Sequence, residues 1–81
     1  SHQYGVKVFP NPADDFLQIQ LEKDYQWVQV SILSVDGKLI EKKEFYSTSD
    51  FSIPLSHLAP NTYLIQIETE KFMYTKKMIK K

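Results

Sequence analysis

Few groups in this 81-residue chain are equipped for chemistry, and they are scattered. Nucleophilic catalysis needs a base within reach of a nucleophile and a third group to orient the base. The available bases are His2, near the start, and His57, between Ser56 and Leu58. Side chains adjacent in a turn diverge, and no carboxylate lies close to His57 in sequence, so a solvated turn histidine is favoured and no enzyme activity is expected. Asp14-Asp15 lacks the alternating oxygen ligands of a calcium loop, so a turn is expected there and no metal. The two glycines, Gly5 and Gly37, are too few for a phosphate-cradling loop, and no cofactor is expected. With no Cys, disulfides, thiolate zinc sites and Cys nucleophiles are all excluded.

Two constellations remain. Tyr25 and Trp27, with Phe45 or Tyr46, are able to form an exposed aromatic platform of the kind that stacks on sugar rings, although a large aromatic beside a strand more often covers the end of a small core. The other is the terminal run Lys76, Lys77, Met78, Ile79, Lys80 and Lys81, an apolar pair bracketed by two Lys pairs. The ten Lys balance ten acidic residues, so the net charge is zero. The balance is uneven along the chain: residues 1–70 hold five Lys against ten acids, whereas residues 71–81 hold five Lys and no acid. Zero net charge and the absence of Arg argue against nucleic-acid reading. The Lys-rich end is either a guard on an edge strand or an address that a partner grips by strand addition and carboxylate contacts.

The elements that would hold this end are strands. Residues 4–9 alternate, with Val6 and Val8 on one face, until Pro10-Asn11-Pro12 removes two amide donors. Residues 16–21 put Leu17, Ile19 and Leu21 inward, and residues 22–26 read as a polar loop. Residues 27–34, β-branched at Val28, Val30 and Ile32, read as a central strand. Asp36-Gly37 then suits a two-residue hairpin turn, returning residues 38–45 antiparallel. Residues 46–50 read as a polar connection. Phe51, Ile53 and Leu55 alternate around Pro54, which places that segment on a sheet edge. Strands over 63–67 and 72–79 complete seven, which predicts an all-β, seven-stranded, immunoglobulin-like antiparallel β-sandwich. The segment from Leu58 through Asn61 to Tyr63 resembles a tyrosine corner, in which the Tyr hydroxyl bonds to upstream backbone. No apolar run approaches the ~20 residues that span a bilayer, so no membrane insertion is expected. Ser1-His2 resembles the residue of a cleaved purification tag. Residues 1–3 are therefore expected to be a scar or linker remnant and residues 4–81 one domain.

In order along the chain, these pieces resemble the type A C-terminal sorting domain of the type IX, or Por, secretion system. Val6 through Phe9 with Pro10-Asn11-Pro12-Ala13 is similar to the family's opening strand and turn. Val28 through Leu33 leading to Asp36-Gly37-Lys38 resembles its central strand and hairpin. Residues 51–58, ending in Ser56-His57-Leu58, resemble its Ser-x-Leu segment, followed by the corner at Tyr63 and the Lys-rich terminus. The departure is Asn61, where the family usually has Gly; Asn is the non-Gly residue best able to adopt a left-handed conformation.

The resemblance implies a C-terminal address on a larger cargo protein lying N-terminal to it. The cargo would cross the periplasm, be recognised by outer-membrane translocon and shuttle components, and reach the cell surface or medium. A sortase-like signal peptidase would remove the domain. The rival readings are a carbohydrate-binding accessory module, which demands an exposed and coplanar Tyr25 and Trp27, and a fibronectin-like spacer, which demands chain beyond Lys81.

Overall fold

The computed structural model describes residues 5–81. The expected tag remnant, His2 and Tyr4, the first residue of the expected opening strand, lie outside the described residues. The fold is all-β, with five strands in one curled antiparallel sheet: β1 (Lys7–Phe9), β2 (Phe16–Ser34), β3 (Leu39–Pro54), β4 (Asn61–Thr69) and β5 (Met73–Lys80). Along the sheet the order is β1-β2-β4-β5, and β3 pairs with β2. The first half of β2 therefore lies between β1 and the end of β3, and its second half lies between β4 and the start of β3.

Five strands replace the expected seven-stranded sandwich because both polar stretches read as loops stay extended. Tyr25 pairs with Thr48 and Trp27 with Tyr46, so β2 and β3 run through the stretches as one long hairpin. The hairpin is bent rather than broken. From Gln20, opposite Asp50, to Tyr25, opposite Thr48, β2 spends more residues than β3. Such an excess bends a strand and increases its twist. Just beyond the excess, between the partners of Tyr25 and Trp27, Ser47 adopts φ 52°, the positive-φ non-glycine residue of the described chain.

The bend also changes the phase of the apolar pattern. Leu17, Ile19, Leu21 and Tyr25 face inward before it, and Val28, Val30 and Ile32 after it, so the inward positions shift from odd to even. Both halves thereby cover one core, joined by Phe51, Ile53 and Leu55 from β3 and its sequel and by Tyr63, Ile65 and Ile67 from β4. Fully burying each Leu, Ile, Val or Met contributes roughly 1.5–3 kcal/mol, the main force holding a disulfide-free domain together. The turn after β4 docks on the bend. The Phe72 ring meets Tyr25 edge-on at 5.4 Å, and the Gln26 amide donates to the Glu70 carboxylate at 3.0 Å.

The β2–β3 hairpin closes through a three-residue loop, Val35-Asp36-Gly37, rather than the expected two. The Ser34 amide donates to the Lys38 carbonyl at 2.9 Å, and the Gly37 amide donates to the Ser34 carbonyl at 2.9 Å. Gly37 has φ 91°, the left-handed position that ends a three-residue loop of this kind. The Ser34 hydroxyl donates to Asp36 and thereby holds that carboxyl below the usual aspartate value.

Candidate functional site

Strand β5 lies antiparallel to β4, with Met78 opposite Tyr63, Ile79 opposite Thr62 and Lys80 opposite Asn61. Because a strand alternates its faces, the six terminal residues divide. Met78 is fully buried and Lys80 is 9% exposed, its ammonium donating to the Lys81 carbonyl at 2.9 Å. Lys76 is half-buried, while Lys77, Ile79 and Lys81 are exposed. The terminal run is thus half core and half surface, with Ile79 set between two outward cations.

The outer edge of β5 is held by the Pro10-Asn11-Pro12-Ala13 segment. The Asn11 carboxamide donates from Nδ2 to the Lys77 carbonyl at 3.2 Å and accepts at Oδ1 from the Ile79 amide at 3.0 Å. The next peptide continues the ladder: the Ala13 amide donates to the Ile79 carbonyl at 2.8 Å, and the Lys81 amide donates to the Ala13 carbonyl at 2.8 Å. Four consecutive edge groups of the terminal strand are satisfied in this way. Ala13 itself is fully buried and bridges Lys80 in parallel. Asp14 and Lys81 add an exposed ion pair at 3.6 Å, a contact of the kind that contributes little to stability.

The corner at the start of β4 supports the same end from within. The Tyr63 hydroxyl donates to the Ala59 carbonyl at 2.6 Å, and Leu58 is buried beside it in the core. Asn61 opens β4, and its side-chain oxygen accepts from the Thr62 amide at 2.8 Å. It does not take the left-handed conformation expected of the position usually held by Gly, since Ser47 is the described non-glycine residue with positive φ. The corner accepts Asn because its backbone is ordinary there.

The other candidate groups go elsewhere. Tyr25 is buried against Phe72, and Phe45 stacks on Phe51 at 4.2 Å, so these two aromatics turn to the core. Trp27 is half-buried beside the exposed Tyr46, its partner across the strands, and the two line a surface groove of about 410 Å³. The Tyr46 hydroxyl donates to Glu44 at 2.8 Å, which raises the phenol above its ordinary value. A coplanar Tyr25–Trp27 platform is therefore not formed. His57 lies 2.6 Å from Glu41, whose other carboxylate oxygen is 3.5 Å from Lys43. Its separation of 16 residues in sequence concealed this carboxylate, which β3 supplies. Among the described residues no hydroxyl is hydrogen-bonded to His57, and the cluster reads as a polar rim on the core.

The described residues thus form a small all-β domain that fastens its own last strand at the edge while turning Lys77 and Lys81 outward from it. The family described as secretion system C-terminal sorting domain matches residues 7–81, and the chain belongs to that family. It is a C-terminal sorting signal of type IX secretion, directing export toward the outer membrane and the cell surface or extracellular space. No curated protein matches the chain.

Proposed function

We propose that this sorting domain is the address of a larger N-terminal cargo, and that the row Lys77, Ile79 and Lys81 is what the outer-membrane translocon and its shuttle components grip. The cargo passes through the periplasm, and a sortase-like signal peptidase removes the domain after transport. The domain is not an enzyme, takes no metal or cofactor, and neither binds nucleic acid nor inserts in a membrane. The observation that supports this reading is the exposure of those three side chains on a strand whose edge is already occupied. With that edge closed, a partner reaches the terminus through side chains: carboxylates for the two ammonium groups and an apolar contact for Ile79.

Deleting residues 76–81 would remove Met78 from the core together with the address, so charge reversal is the cleaner test. Fused behind a periplasmic reporter in a type IX-competent cell, the double variant K77E/K81E is expected to leave the reporter inside while melting like the parent. Export equal to the parent would refute the reading.

A further inference from the structure

We infer that Asn11 is a positioning residue for the address, a side-chain substitute for one peptide unit of a missing edge strand. The inference deepens the proposed reading of Lys77, Ile79 and Lys81 and rests on it. A carboxamide carries the same donor and acceptor as a backbone peptide. Asn11 uses both, one on the Lys77 carbonyl and one on the Ile79 amide. The residues on either side cannot do this, because Pro10 and Pro12 have no amide hydrogen. Ala13 is the next residue with an amide hydrogen, and its peptide takes the Ile79 carbonyl and the Lys81 amide. Asn11 thus begins a short ladder that continues to the last residue of the chain.

Two consequences follow for recognition. The ladder fixes the register of the terminal strand, so Lys77, Ile79 and Lys81 leave the surface at set spacing. It also closes this part of the edge to strand addition by stray chains. Few other side chains supply the same contacts at this length. Asp keeps the acceptor and loses the donor, Leu has the shape and neither, and Gln is a methylene longer.

The test compares the 81-residue chain with N11A and N11D by amide exchange and melting, and the same variants by reporter export. In N11A, exchange at Ile79 is expected to rise roughly fivefold to tenfold, the loss of about one net hydrogen bond, while Ile65 in the core is unchanged. The melting midpoint should stay close to the parent's and export should fall. N11D, retaining the acceptor, should restore much of the protection at Ile79 and part of the export. Unchanged exchange at Ile79 overturns the inference, as does faster exchange with parental export. A uniform rise in exchange with a collapsed melting midpoint also overturns it, because Asn11 would then be an ordinary stabilising residue. Normal export by K77E/K81E would instead remove the underlying reading, whatever the Asn11 variants do.

Discussion

Met78 lies directly opposite Tyr63 in the β4–β5 pair, and both side chains are buried. The terminal strand and the corner are therefore one packed unit, and that strand cannot leave the sheet without opening the core. Alternation then separates two faces within six residues, with Met78 and Lys80 buried and Lys77, Ile79 and Lys81 left exposed.

Met78→Ala is expected to cost about 2–5 kcal/mol, the usual range for truncating a fully buried Met. Ile79→Ala, one residue on and 46% exposed, is expected to stay within about 0.5 kcal/mol of the parent. Urea unfolding of both variants checks the contrast. Equal losses would contradict the division of the strand into core and surface faces.

Tyr63→Phe removes the hydroxyl that donates to the Ala59 carbonyl and leaves that carbonyl without this donor. The expected loss is about 1–2 kcal/mol. A urea midpoint at or above the parent's would show that the back-bond does not hold the corner.

Gly37→Val forces a β-branched residue to φ 91°, although nothing lies within 4 Å of the position its Cβ would take. The expected cost is about 1–3 kcal/mol and comes from the backbone rather than from a clash. Gly37→Asn, better suited to the left-handed region, should lose less. Thermal melting of the pair separates the two causes, and equal losses would contradict the conformational account.

Glu70 is held below the ordinary glutamate value of 4.5 chiefly by the Gln26 amide. A depressed carboxyl pKa contributes stability that is present above the ordinary value and lost as pH falls through the folded one. The parent should weaken progressively as pH drops below 4.5. Glu70→Gln, which keeps an acceptor but cannot ionise, should show a shallower decline. Urea midpoints across that window check the sign, and identical pH dependence would remove Glu70 from the bend.

The apolar rows at 17–21, 28–32 and 63–67 were legible in sequence, because half-buried strands declare themselves by alternation. The continuity of β2 and β3 was not. Apart from the buried Tyr25, residues 22–26 and 46–50 are largely polar and exposed or half-buried at a bend, and a polar run in such a strand looks like a loop. The hairpin was legible from Asp36-Gly37, yet its length depends on where Gly37 sits in the turn. Pro10-Asn11-Pro12 announced a stop, but nothing local indicated that Asn11 reaches backbone 66 and 68 residues away. The Glu41–His57 contact was hidden likewise, since it joins β3 to a turn 16 residues later.

A photo-crosslinking residue placed at position 79, in a strain exporting the domain behind a reporter, tests the central claim most directly. The account predicts a crosslink between position 79 and an outer-membrane secretion component, with much less from the same group at Val35, 60% exposed in the hairpin loop. Crosslinking from position 35 with none from position 79 would contradict it.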